Sequence, residues 1–341
     1  MKPRDPGLFG PEYDRTSRQL PVIGEQKDIR YYSSPAKSVL NGPETTGMGF
    51  WSINPYIGCA FGCAYCYARY THRYVMERAA SAEKMTSQLG DAYNNLPPWL
   101  AFERNIFVKG NAPEILSRTL RFGSDRHLKL LQGETIVIGT ATDPYQFVEG
   151  RYLITRHALE VLLRARWPVS ILSRSPLMVR DIDLFAQFET IDVGMSVPTL
   201  DDRARALLEP WAPPIEARLR CLQTLGEAGL DTFVSFAPAY PPTGDVTAEA
   251  IATEFAARGV TEVFTRTLDE RWGVREAMSA RLQDSEIASE LARISDDAYM
   301  GEFLVDLADA CRAQGVTFHG DGRYRKRDRA IDGALDSSHP T

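Results

Sequence analysis

The stretch Asn54-Pro55-Tyr56-Ile57-Gly58-Cys59-Ala60-Phe61-Gly62-Cys63-Ala64-Tyr65-Cys66-Tyr67 decides how the chain is read. Three of the five cysteines fall here within eight residues, spaced C-x3-C-x2-C. A thiolate is a soft ligand, and cysteines this close in sequence can turn toward one metal centre. Four-iron clusters normally take four thiolates. A loop that offers three, with no evident fourth, would leave one iron an open position. Zinc sites follow the same logic: three protein ligands are catalytic, four are structural. A structural zinc site is the rival reading. Its nearest further ligand is His72, but C-x3-C-x2-C-x5-H matches no common zinc spacing. A disulfide scaffold fits less well still, with five cysteines in 341 residues.

Around this loop the composition is that of a globular protein, 44% hydrophobic and 25% charged. The first residues, Met1-Lys2-Pro3-Arg4-Asp5-Pro6, have no apolar core and do not read as a signal peptide. No apolar run reaches the roughly 18 residues that suggest a membrane span. The expectation is a cytoplasmic protein with no membrane partner, where thiols stay reduced. A net charge of −6 argues against nucleic acid, because phosphate binding needs Lys and Arg. Two basic stretches run the other way. Residues 151–180 carry six arginines against Glu160 alone, and Arg323-Tyr324-Arg325-Lys326-Arg327 lies near the end. Such runs are usually solvated faces; a phosphate-bearing substrate is the sharper alternative.

Along the chain, residues 1–50 are rich in Pro, Gly and charge and read as an extended lead-in. A short strand at 50–53 delivers the cysteine loop, and a helix is expected from Tyr67 to Ala80. Residues 81–105 look like an insertion. Strands then alternate with helices: strands at 106–109, 135–140, 169–173, 191–196, 231–236 and 260–265, helices at 112–122, 152–166, 177–187, 215–228 and 246–257. Residues 285–314 read as mostly helical, with one more short strand at 316–318. Strands separated by helices of this length mean βαβ units and a parallel sheet. Six or seven strands are too few for an eight-fold barrel. The expected fold is α/β, a partial (β/α)6 TIM-like barrel over 51–265. An N-terminal extension (1–50), a helical C-terminal segment (266–320) and a basic tail (321–341) would surround it. Functional groups then belong at the C-terminal ends of the strands. Four such ends stand out: Gly139-Thr140-Ala141-Thr142-Asp143-Pro144-Tyr145-Gln146, Ser173-Arg174-Ser175-Pro176, Ser196-Val197-Pro198 and Ala237-Pro238-Ala239-Tyr240. Their hydroxyls can bind a ribose or an amino group, and Arg174 suits a planar carboxylate. Equally, Ser and Thr there can simply cap turns and helices.

Several short motifs recur in order: Asn54-Pro55-Tyr56, Tyr65-Cys66-Tyr67, Thr142-Asp143-Pro144-Tyr145-Gln146, Ser175-Pro176-Leu177, and Leu208-Glu209-Pro210 with Arg218-Leu219. With the cysteine spacing, this set resembles the radical S-adenosylmethionine (SAM) superfamily. Within it, the set is similar to the photolyase-like group related to spore photoproduct lyase. The resemblance runs from about residue 35 to 265 and independently implies the partial barrel. It implies a [4Fe-4S] cluster on Cys59, Cys63 and Cys66, with SAM chelating the unique iron. Tyr65 would pack near the adenine. Arg174 falls where the lyase has a lysine for the SAM carboxylate, and Ser196 where it has a serine on the ribose. Thr140, Thr142 and Asp143 are further cofactor-binding candidates, and Tyr67 matches a tyrosine linked to radical relay. One position departs. The lyase has a hydrogen-donating cysteine near the place of Thr140, and threonine has no weak S–H bond to give. Cys221 and Cys311 sit at helical spacing among apolar residues and read as core.

The expected function is hydrogen abstraction from a small molecule such as a sugar, nucleoside or other metabolite. Tyr67, Tyr145 and Tyr240 are the candidate hydrogen relays or substrate contacts. An electron donor such as flavodoxin or ferredoxin is implied, and a monomer is expected. A DNA repair lyase is the first alternative, favoured by the basic stretches and opposed by the net charge and Thr140. A non-catalytic iron–sulfur sensor is the second.

Overall fold

The computed structural model describes residues 22–43, 49–72, 96–122, 134–270, 273–283 and 287–320, and within them two sheets. In chain order the strands are β1 (Val22–Gln26), β2 (Ile29–Ser33), β3 (Leu40–Asn41), β4 (Trp51–Ile53), β5 (Tyr56–Ile57) and β6 (Asn105–Val108). There follow β7 (Ile136–Ile138), β8 (Val169–Ser173), β9 (Ile191–Ser196), β10 (Thr232–Phe236), β11 (Glu262–Thr265) and β12 (Thr317–His319). The larger sheet has the order β3-β4-β7-β8-β9-β10-β11-β12. Every pairing from β4 to β12 is parallel, and β3 adds an antiparallel edge.

The residues explain the arrangement. Ile136-Val137-Ile138 of β7 and Thr232-Phe233-Val234-Ser235-Phe236 of β10 are buried along their whole length. A strand covered on both faces needs such a run, and its parallel neighbour must be reached by a helical crossover. The helices Ile154–Arg164, Ile215–Glu227 and Ala248–Ala257 supply those crossovers. Leu153, with φ of +56°, separates the helix Ile154–Arg164 from the short turn Glu149–Tyr152, so the helix expected over 152–166 begins at Ile154. The last long helix, Asp297–Ala313, packs on Ala248–Ala257 and delivers β12 to the sheet edge.

Two expectations change. The strand at 105–108 is present but outside the barrel: β4 pairs directly with β7, and β6 joins a second sheet of order β1-β2-β6-β5. The barrel strands are therefore β4 and β7 to β11, with β12 as a seventh. The lead-in is also more regular than its composition suggests, because β1 and β2 form a hairpin whose β2 lies parallel to β6. Ile29-Arg30-Tyr31-Tyr32-Ser33 is a good strand only because a partner more than 70 positions away covers it, which local pattern does not reveal. The early lead-in, most of the expected helix to Ala80, most of the insertion and the basic tail lie outside the described residues. No helix among the described residues is long and apolar enough to cross a membrane.

Parallel strands share one direction, so their C-terminal ends collect at one mouth. Asn54, Thr140, Arg174, Ser196 and the segment leading to Tyr240 end or follow β4, β7, β8, β9 and β10 there.

Candidate functional site

The cysteine loop is held from both sides. The second sheet fixes its entry, since β5 pairs antiparallel with β6 and the Cys59 N–H donates to the Phe102 carbonyl at 3.0 Å. The segment after β7 fixes its first turn. Gln146 Oε1 accepts from the Ala60 N–H at 3.0 Å, and the Thr142 hydroxyl donates to the Gly58 carbonyl at 2.6 Å. Gly58 has φ of +84°, and a Cβ there would meet the Phe102 carbonyl oxygen at 2.7 Å, so glycine is required twice over. Arg69, fully buried, staples the middle. Its guanidinium donates to the carbonyls of Gly62 (3.0 Å) and Cys63 (2.7 Å) and pairs with Glu103 at 2.6 Å. Arg281 reaches the other Glu103 oxygen at 3.2 Å, tying the C-terminal helix Val274–Arg281 to the loop.

Cys59, Cys63 and Cys66 thus gather in one apolar cluster with Phe61, Tyr65, Tyr67 and Tyr240. Without metal, burial pushes all three thiols up, Cys63 to about 12, and charges on neighbouring cysteines add to the effect at Cys59 and Cys63. A bound cation inverts that preference and deprotonates a coordinating thiol. No three His, Cys, Asp or Glu side chains among the described residues close on a single ion. Thiolates on a cluster each take a separate iron, so they stand wider apart than the ligands of one ion.

Beside the thiols is a buried charged group. Glu209 has no exposure and accepts from the Tyr65 hydroxyl and from Arg218, while Arg174 Nε lies 3.6 Å from its Oε1. Burial pushes Glu209 up, but the Arg218 and Arg174 guanidiniums outweigh it and hold the carboxyl below its ordinary range. Arg218 also donates to the Ser196 carbonyl at 3.0 Å, and Arg174 Nη2 donates to the Tyr65 oxygen at 3.2 Å. The rings of Tyr65 and Tyr240 meet edge-on, centroids 5.5 Å apart. Three buried polar atoms here make no hydrogen bond: Arg174 Nε, the Ser196 hydroxyl and the Tyr240 hydroxyl. Such orphans are rare in a native structure and ask for a partner.

The remaining predicted residues fall into place differently. The Tyr67 hydroxyl donates to the Thr140 carbonyl, and the Thr140 hydroxyl accepts from Asn54 Nδ2 at 3.0 Å. Thr142 is committed to Gly58 and Gln146. Asp143 has both oxygens occupied, Oδ1 by the Tyr145 N–H (2.9 Å) and Ser173 hydroxyl (2.6 Å), Oδ2 by the Arg174 N–H (2.9 Å). It locks the end of β7 to the end of β8 and so aims Arg174. Tyr145 is fully buried in the barrel core, and its hydroxyl donates to Asp181 at 2.9 Å, away from the thiol cluster. Cys221 and Cys311 are core residues too. His72 packs on Phe102 and Phe107, with Nε2 3.0 Å from the Asn105 carbonyl oxygen.

Two arginines of the arginine-rich stretch are paired with acids just outside it. Arg156 pairs with Asp181 (2.6 Å) and Asp183 (2.7 Å), Arg180 with Glu149 (3.0 Å) and Asp181 (2.9 Å). Glu149 also accepts from the N–H groups of Thr155 and Arg156, where a helix N-terminus favours negative charge. Arg69, Glu103, Glu209 and Arg218 are functional candidates that sequence reasoning missed, though Glu209 and Arg218 stand in the quoted motifs.

No family model matches the chain. An uncharacterized protein of Mycobacterium tuberculosis strain H37Rv is 32% identical over 222 residues, covering 64% of this chain. This chain spans only 58% of that protein's own length. An uncharacterized protein of Acidianus two-tailed virus is 30% identical over 274 residues, 78% of this chain and 81% of the viral protein. Among solved structures, spore photoproduct lyase with bound AdoMet and dinucleoside spore photoproduct superposes with a TM-score of 0.56 at 13% identity, over 90% of this chain and 87% of the lyase. The chain belongs to one family with the viral protein, and its fold is that of spore photoproduct lyase, a radical SAM enzyme.

Proposed function

We propose that this protein is a radical SAM enzyme that holds a [4Fe-4S] cluster on Cys59, Cys63 and Cys66 and binds S-adenosylmethionine beside it. The observation that carries the reading is the set of buried atoms without a hydrogen bond on Arg174, Ser196 and Tyr240, next to three clustered thiols with no fourth in the loop. When bound, the cluster supplies one electron to S-adenosylmethionine, whose cleavage yields methionine and a 5′-deoxyadenosyl radical that takes hydrogen from carbon. Arg174 offers its Nε to a carboxylate, held ready by Glu209 and by Asp143 on its backbone. Ser196 offers a hydroxyl to a ribose, its backbone fixed by Arg218. Phe61, Tyr65 and Tyr240 keep water from the cluster and from a reactive radical. A small molecule is the substrate this mouth suits, and flavodoxin or ferredoxin the donor. Arg156 and Arg180 are ion-paired, which leaves fewer free cations in that stretch for a DNA backbone.

The test is 5′-deoxyadenosine release by anaerobically reconstituted protein with S-adenosylmethionine and dithionite. Release that disappears in Cys63→Ala supports the proposal. Equal release by the variant, or none by the native protein loaded with four irons, overturns it.

A further inference from the structure

A cation without an acid stands on the other flank of this site. Lys109 follows β6, and its ammonium donates to the Asn54 carbonyl at 2.8 Å. Its own N–H donates to the Pro55 carbonyl at 3.2 Å, which fixes it to the turn opening the cysteine loop. Among the described residues no carboxylate pairs with it, and burial pulls its pKa down to about 8. The guanidiniums around the mouth each have an acid: Arg69 with Glu103, Arg218 and Arg174 with Glu209.

Lys109 also reaches the mouth of the barrel, through Asn54 at the end of β4. Asn54, under the ammonium, turns its amide to Thr140, with Nδ2 3.0 Å from the hydroxyl and Oδ1 accepting from the Ala141 N–H at 2.7 Å. Tyr67 donates to the Thr140 carbonyl. These groups stand at the ends of β4, β6 and β7, whereas Arg174, Ser196 and Tyr240 stand at or beyond β8, β9 and β10. Tyr65 and Tyr67, on either side of Cys66, each reach one set. If the second set takes the cofactor, the first is left for the molecule it acts on.

We propose that Lys109 is the anion-binding residue for the substrate: the molecule acted on carries a carboxylate or phosphate that meets the Lys109 ammonium, with Asn54 and Thr140 as neutral polar contacts beside it. This rests on the radical SAM reading of the cysteine loop. A desolvated ammonium that bonds only a carbonyl is poorly compensated, and an incoming anion supplies what the fold leaves out. The alternative is a lysine that only closes the Asn54 turn. Such a residue would be indifferent to added anions.

The experiment is a pH titration of lysine 13Cε signals in reconstituted, oxidised protein, with Lys109 assigned through Lys109→Arg. Inorganic phosphate and acetate are added separately, and S-adenosylmethionine in a third sample. An anion that binds the protonated ammonium should raise the Lys109 midpoint by about one pH unit or more. A shift with phosphate alone assigns a phosphorylated substrate, and a shift with acetate a carboxylate. No shift with either anion overturns the inference. So does a shift with S-adenosylmethionine alone, which would give Lys109 to the cofactor's carboxylate. Measuring 5′-deoxyadenosine release on the same preparation keeps the two readings apart. Release without any anion response sinks only the role of Lys109, and failed release sinks the reading beneath it.

Discussion

Glu209, Arg218 and Tyr65 are buried from solvent, and Arg174, its side chain 20% exposed, reaches them from the edge, so that two guanidiniums face one carboxylate. The consequence for Arg174 is measurable. Its Nε has no hydrogen-bond partner in the fold, so removing the side chain should weaken ligand binding more than folding. A hydrogen bond to a charged group contributes about 1.5–3 kcal/mol, so Arg174→Met should raise the S-adenosylmethionine concentration for half-maximal cleavage roughly ten- to a hundredfold. Iron content should stay unchanged. A variant with native affinity would remove Arg174 from the site. Glu209→Gln tests the support behind it. Losing the charge while keeping the shape should lower affinity through Arg174 and also lower the melting temperature, because Arg218 is left buried without its anion. Little of this network was legible in advance. The cysteines could be read because three ligands lie within one loop. Glu209 could not, because Tyr65 meets it across 144 positions of sequence.

The cysteine loop depends on elements far from the cysteines. Arg69 gathers two loop carbonyls and pairs with Glu103 in the helix Pro98–Arg104. Breaking a buried pair costs about 3–5 kcal/mol, and Arg281 can hold Glu103 only in part. Arg69→Met should therefore lower stability by about 3 kcal/mol in denaturant melts and reduce iron incorporation together. Loss of one without the other would separate the staple from the loop. His72, in the turn after the loop, offers a pH test. Burial holds its pKa down at about 4, against an ordinary 6.5, so the fold keeps the neutral ring. That contribution is whole above pH 6.5 and is lost as pH falls toward 4, about 3 kcal/mol across the window. His72→Gln should flatten this part of the stability curve; an unchanged slope would assign it to carboxylates instead. At this scale the β-branched runs made the barrel strands readable. The sheet membership of β6 was not, because Asn105-Ile106-Phe107-Val108 specifies a buried strand but not which neighbour covers it.

Across the whole molecule, the two sheets divide the work. The parallel sheet brings the polar groups to one mouth, and the smaller sheet presents the cysteine loop to it through β5 and β6. Charge follows the same logic: Arg156 and Arg180, part of what looks like a basic face in sequence, are tied to Glu149, Asp181 and Asp183 once folded. A gel-shift titration with duplex DNA should accordingly show weak binding and a shallow salt slope, with few phosphates neutralised. Tight binding at physiological salt, steeply lost as salt rises, would favour a nucleic-acid substrate. The central claim is that three thiolates leave one iron open to S-adenosylmethionine. Electron paramagnetic resonance of the reduced, reconstituted protein tests it most directly, with and without S-adenosylmethionine. A four-iron signal that changes shape when S-adenosylmethionine is added is the predicted result. A four-iron signal indifferent to it, as from a cluster with four protein ligands, would contradict the account.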